Sequence, residues 1–386
     1  MDNVVFLGIV SFINDLASKM ILPVLPLYIK ELGGAGLAIG LISGFGESIA
    51  SFLKVLSGYW SDKIGRRRPF IFWGYFVSAV AKLLFYTARS WPLILLFRGL
   101  ERSGKGLRSA SRDAMIAASA DKDKKGKAFG IHRAFDSGGA VLGSVVVLCL
   151  IIFLNLELKY IFLIAGIISF FALIPIFLTK ETGSKERASK MKLVVSFRQF
   201  PPALKKFIFI AVLFSVGNFS WMFFVLKAQG SFTGHNEIII PIILYIIYNF
   251  SYTLLAAPSG ILADRFGKDK VLIIGYALFG LVAMSFIFAA SIGYFITLFF
   301  IYGIVYAFVE SNERAYVSDL ADQKIRGTAL GTLFTLTSIL ALPSGILVGV
   351  LYDLNPGYAF LFGSVISFST VALFLFSTLG KSARHV

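Results

Sequence analysis

Five cations, Arg98, Arg102, Lys105, Arg108 and Arg112, share one stretch, "RGLERSGKGLRSASRDAMIAA". If the stretch is helical, at about 100° per residue they fall within an arc of roughly 120°, and Glu101 lies in the same arc. A stripe of this kind can hold an anion or pair with carboxylates. Asp15, Glu47 and Asp136 are the acids placed to answer it, while Lys19, Lys54, Lys82 and Arg133 add cations to the same half of the chain. Two readings follow. The stripe lines an electropositive pocket for an anionic or zwitterionic solute, with Asn14, Arg98, Arg102 and Arg133 as contacts. Or it forms a salt-bridge network in which Arg108 and Arg112 reach water.

The same acids could carry protons. Burial favours the neutral form of a carboxyl group and nearby cations favour the charged form. A residue balanced between the two can exchange a proton. Asp15 is the first candidate, followed by Glu47 and Asp136; each could instead only neutralise the stripe. The second half offers different chemistry. Asn218 and Trp221 precede Tyr245, Tyr248, Asn249 and Tyr252, and Tyr306, Glu310 and Asn312 follow. Tyr245, Tyr248 and Tyr252 share one helical face. Aromatic rings with polar tips suit an amphipathic ligand, although helix packing also produces such stripes. The proposed solute contacts here are Asn218, Tyr245, Tyr248, Asn249, Tyr252 and Glu310.

The elements that position these residues must lie in lipid. The chain has 386 residues, of which 57% are hydrophobic and 15% charged, with 40 Phe and a mean hydropathy of +0.81. Soluble domains carry about 25% charged residues. Twelve apolar segments are predicted, at 4–29, 37–60, 69–88, 92–116, 128–150, 159–179, 206–228, 236–262, 270–290, 294–318, 327–350 and 357–379. Their length suits membrane-spanning helices, and their continuity argues against a barrel. The first is expected to be retained rather than cleaved. The net charge of +16 gathers in alternate loops, which signals topology rather than nucleic-acid binding. An even number of spans puts both termini on one side of the membrane, and the basic loops make that side the cytoplasm. The lone Cys149 excludes an internal disulfide, no cofactor motif is present, and neither His-Glu-x-x-His, Gly-x-Ser-x-Gly nor a P-loop suggests an enzyme.

The chain also repeats itself. "GYWSDKIGRRRPF" from Gly58 returns as "GILADRFGKDKVL" from Gly260, which lays Gly58, Asp62 and Gly65 on Gly260, Asp264 and Gly267. At similar offsets "GKAFG" from Gly126 meets "GTALG" from Gly327, and Ser11 and Asn14 meet Ser215 and Asn218. Parallel repeats of six helices are expected, an N-terminal bundle over 1–179 and a C-terminal bundle over 207–386, joined by a basic cytoplasmic linker over 180–206 with a possible amphipathic piece.

On these residues the chain resembles the major facilitator superfamily, abbreviated MFS. Gly58, Asp62, Gly65, Arg66 and Arg67 fit its signature loop, and Lys268 and Asp269 mark the weaker second copy. The fourth segment, with Gly-Lys-Gly-x-Arg and Arg-Asp-Ala, resembles a poorly characterised prokaryotic branch. The resemblance implies a secondary transporter working by alternating access as a monomer, on a small organic solute and with protons. It also implies gating by the charged loops. Asp62 would face the start of the eleventh span, Arg66 would bridge to Asp113, and Asp264 would face the start of the fifth. From the repeat offset, Arg112 would pair with Glu313 and Asp113 with Arg314. The fifth segment keeps Gly139 and Gly143 of an exporter motif but has Ser144 where that motif has proline. Proton-coupled efflux is the favoured direction; proton-coupled uptake of an organic anion, or uniport, is the alternative.

Overall fold

The computed structural model describes residues 2–120, 125–182, 200–322 and 325–382. The amphipathic piece suggested for the linker lies outside them. The described chain is helical: α1 Asp2–Ile21, α2 Leu25–Glu31, α3 Gly36–Ile64, α4 Arg68–Tyr86, α5 Trp91–Ser119, α6 Lys125–Leu154, α7 Leu158–Phe171, α8 Ile174–Leu178, α9 Pro202–Gly217, α10 Met222–Gln229, α11 Asn236–Phe266, α12 Lys268–Phe286, α13 Ile292–Leu320, α14 Arg326–Leu354 and α15 Pro356–Ser382.

Among the described residues, eleven helices or helix pairs are long and apolar enough to cross a bilayer. The twelfth predicted span is α5. Its 29 residues suffice in length, but the cationic stripe lowers its apolarity. A helix this charged is stable at membrane depth only if its polar face looks at protein or water. Arg98, Glu101, Arg102 and Arg108 are indeed buried.

Three spans are broken, each for a local reason. Pro23 has no N–H to continue α1, so the chain turns before α2. Pro175 sits in the first turn of α8 after α7 stops. The third break, between α9 and α10, contains no proline. Asn218 ends α9 with its N–H on the Phe214 carbonyl, and Ser220 Oγ accepts the Met222 N–H. Irregular backbone survives at such depth only where protein or a cavity satisfies it. The charged knots end their helices alike: Gly65 closes α3 at φ 71° and Gly267 closes α11 at φ 103°, conformations that favour glycine.

Contacts divide the chain into two compact units. The first is Met1–Ala38 with Phe45–Met191, and the second is Ile39–Gly44 with Lys192–Val386. Within the first, α1 packs on α5, α6 and α7, and α4 on α5 and α7. Within the second, α9 packs on α13, α14 and α15, and α12 on α13 and α15. The sequence repeat is thus a repeat of packing. Close approach fixes α4 against α5: a Cβ on Gly104 would stand 2.8 Å from the Ser78 nitrogen. Gly139 and Gly143 of the exporter-like motif serve the α1–α6 contact. A Cβ on either would stand 3.0 Å from the Cα of Phe12 or Leu16.

Candidate functional site

The fourth-span stripe opens onto a cavity of about 160 Å³ inside the first unit, lined from α1, α4 and α5. Its cations are Lys19, Lys82, Arg98, Arg102, Lys105 and Arg108, and its acids are Asp15 and Glu101. Arg98 Nη1 donates to Glu101 Oε2 at 2.7 Å, and both side chains are buried. Arg102 pairs with Glu47 of α3, whose own side chain is 56% exposed. Arg108 Nη1 donates to Ser78 Oγ at 2.6 Å, and its guanidinium lies 4.4 Å from the centre of the Tyr75 ring. Among the described residues, the buried Nε groups of Arg98 and Arg102 have no hydrogen-bond partner. A buried N–H left bare costs about 1–3 kcal/mol, and a planar guanidinium edge matches a carboxylate or phosphate.

Lys82 is 1% exposed. Its ammonium donates to Ser169 Oγ at 2.9 Å, to Asn14 Oδ1 at 3.0 Å and to the Asn14 carbonyl at 3.3 Å. Asn14 Nδ2 in turn donates to Asp15 Oδ1 at 3.1 Å. All three ammonium protons are used, so Lys82 adds charge to the cavity while serving as a strut between α1, α4 and α7.

The predicted residues sort as follows. Asn14, Asp15, Glu47, Arg98 and Arg102 gather at or beside the cavity. Arg133 does not line it and is exposed on α6. Asp136 lies apart, with Oδ2 at 3.6 Å from His132 Nδ1. His132, buried at 4% exposure, was not singled out from the sequence; the signal was its spacing of four from Asp136 on one helical face. Arg112 leaves the stripe for Ser11 Oγ at 3.2 Å and for its neighbour Asp113 at 3.1 Å.

In the second unit, Tyr245, Tyr248 and Tyr252 stand among aromatic neighbours. Trp221 lies 4.6 Å from Tyr245, and Tyr248 stacks on Tyr302 at 5.1 Å between ring centres. Tyr252 Oη donates to Glu310 Oε2 at 2.7 Å, and Asn249 Nδ2 to the Tyr245 carbonyl at 2.8 Å. Asn218 Oδ1 is buried in the α9–α10 break.

One gating pair, the one expected within the first unit, differs from expectation. Among the described residues no ion pair joins Arg66 to Asp113. Arg67 bonds instead, to Asp62 at 4.0 Å and to the Ala114 carbonyl at 3.1 Å. After the left-handed turn at Gly65, helical spacing no longer says which of three consecutive arginines points inward. Within the first unit Arg112 meets Asp113, and within the second Glu313 accepts from Tyr276 Oη at 2.7 Å and Arg314 pairs with Glu310 at 2.8 Å. Asp264 pairs with Lys268 at 3.8 Å, and Gly58 meets the Ala110 Cβ, where any larger residue would press on α5.

Known proteins share this architecture. The profile of the Major Facilitator Superfamily matches residues 7–234 and 234–385. An uncharacterized MFS-type transporter of Methanocaldococcus jannaschii is 44% identical over 97% of this chain and 94% of its own length. The quinolone resistance protein NorA of Staphylococcus aureus is 26% identical over 34% of each chain. The crystal structure of the nucleoside transporter NupG superposes with a TM-score of 0.80 at 17% identity, over 97% of this chain and 98% of that one. A POT family transporter in complex with a thioalcohol conjugated peptide gives 0.78 at 12% identity, over 98% and 96%. At such identities the structures share the fold alone. The signature loop read in the sequence, the repeated packing and the matches along nearly the whole chain agree that it belongs to the Major Facilitator Superfamily, as a transporter of many membrane-spanning helices.

Proposed function

We propose that this transporter moves a small organic anion, exporting it in exchange for protons. The observation that carries the reading is the cavity: six cations face two acids, and two buried guanidinium N–H groups have no partner. Guanidinium and ammonium donors grouped in this way suit a carboxylate or phosphate head. Asp15, Glu47 and Asp136 are the proposed proton carriers. In the second unit Asn218, Tyr245, Tyr248, Asn249, Tyr252 and Glu310 are proposed solute contacts. Asp62 and Asp264, with Gly58, Gly65, Arg66, Arg112, Asp113, Glu313 and Arg314, are proposed to act in gating. The outward direction is supported by the partial likeness to NorA, whose name is that of a resistance protein. The protein is proposed to work as a monomer in the inner membrane with both termini in the cytoplasm.

The test is flux in proteoliposomes under an imposed pH gradient. The panel is benzoate, succinate and phenyl phosphate, set against benzamide and benzylamine as neutral and cationic counterparts. At least one anion is expected to move at ten times the rate of the counterparts. Equal or faster movement of benzamide or benzylamine would overturn the anion reading.

A further inference from the structure

Four helices of the first unit each send one polar side chain to a single buried point. Ser11 of α1 is nine residues from the start of its helix. Tyr75 and His132 are each seven from the starts of α4 and α6, and Arg112 is seven from the end of α5. At 1.5 Å per residue these depths agree, at about 10–14 Å. Ser11 Oγ is the hub: it lies 2.8 Å from His132 Nε2, 3.1 Å from Tyr75 Oη and 3.2 Å from Arg112 Nη1. Asp136 stands by the other ring nitrogen, its Oδ2 at 3.6 Å from Nδ1, and its Oδ1 is buried without a hydrogen-bond partner among the described residues.

Counting protons shows what this junction can do. A serine hydroxyl has one donor and two acceptor sites. Arg112 can only donate, so it occupies one acceptor site. One donor and one acceptor site remain for His132 and Tyr75. If His132 Nε2 is bare, Ser11 donates to it and accepts from Tyr75. If Nε2 carries a proton, it donates to Ser11, and the serine hydroxyl must turn to donate to Tyr75. Starting from the Nδ1–H tautomer, a proton added at Nε2 therefore reverses the hydrogen bonds that tie α1, α4 and α6 together. Asp136 stands at Nδ1 to balance the charge gained.

The charged and titratable groups facing this imidazole are Asp15 from α1, Tyr75 from α4, Arg112 and Asp113 from α5, and Arg133 and Asp136 on its own helix. Toward the helix ends an apolar cluster that includes Leu7, Ile71, Ile116 and Ala128 seals the site. In the other direction α1 turns polar within one turn, at Asn14 and Asp15, and Asp15 lines the cavity.

We propose that His132, clasped between Ser11 and Asp136, is a proton-binding centre that exchanges protons with the anion cavity through Asp15. Its link to transport rests on the proton-driven reading above; proton binding itself does not.

The chain has three histidines, so the full-length protein labelled with ¹⁵N-histidine gives few signals. The His235→Gln, His385→Gln background isolates His132. Its ring resonances, followed in nanodiscs from pH 3.0 to 8.5, are expected to report protonation within that window. Asp136→Asn and Asp15→Asn are each expected to displace the midpoint by at least half a pH unit. Resonances that stay fixed across the range in the otherwise native protein would overturn the proposal, as would a midpoint indifferent to Asp136→Asn. The first outcome needs no further variant to fold. Failure here leaves Asp15 and Glu47 as carriers. Wild-type flux indifferent to a pH gradient would instead sink the proton-driven reading and leave the centre standing.

Discussion

Arg98 and Arg102 sit one turn apart and look interchangeable, yet the structure gives them different duties. Arg98 neutralises Glu101, and both are buried. Removing one member of a buried pair costs about 3–5 kcal/mol. Lys82, Lys105 and Arg108 lie near enough to Glu101 to soften that cost. Arg102 answers Glu47, which is more than half exposed and can turn to water. Removing Arg102 therefore leaves behind a carboxylate that water can solvate rather than a buried charge without a partner. Arg98→Gln is therefore expected to lower the melting temperature of the purified protein by several degrees. Arg102→Gln should leave melting nearly unchanged and reduce anion flux at least tenfold. Matching losses of melting temperature in both variants would contradict this division.

Most elements were legible in the sequence because lipid imposes a simple rule, a run of some twenty apolar residues for each crossing. α5 was predicted as a span although its charges leave it short of that rule, and four of its five stripe cations line one cavity. Its partners were harder to read. Arg112 bonds to its immediate neighbour Asp113, a spacing at which helical side chains do not normally face one another, and only a long, bent side chain allows it. His132 escaped notice because one imidazole in an apolar helix is unremarkable until Ser11, more than a hundred residues away, is beside it. Glycines posed a similar difficulty. Gly104 touches the backbone of α4, whereas a Cβ on Gly260 would meet nothing within 4 Å. Overpacking of this kind costs about 1–3 kcal/mol, and alanine in an open helical position gains up to about 1 kcal/mol over glycine. Thermal unfolding should thus separate them: Gly104→Ala is expected to destabilise and Gly260→Ala to stabilise slightly.

For the whole molecule, the proposed exchange has an electrical signature. Sending a monoanion out while a proton enters moves two charge equivalents inward. Each is worth about 2.3 kcal/mol per 100 mV, together about 4.6 kcal/mol, or roughly three decades of solute gradient. Symport of one anion with one proton moves no net charge. In proteoliposomes, a potassium diffusion potential negative inside is expected to drive anion outward by exchange and to leave symport unaffected. Efflux that ignores the potential would rule out exchange in this ratio.

The two units pack their helices alike but furnish them differently. At an offset of 201 residues, Glu101, Lys105 and Arg112 of α5 correspond to Tyr302, Tyr306 and Glu313 of α13. Polar rings stand where the first unit has two of its ions, and Tyr276 holds Glu313 much as Tyr75 stands by the Arg112 junction. On the proposed anion reading, a duplicated scaffold has in this way divided its labour, keeping valence in one copy and contour in the other. Descendants of such a twin would then drift toward bulkier or slimmer cargo by altering α13 alone, while the first copy kept the choice of a negative one.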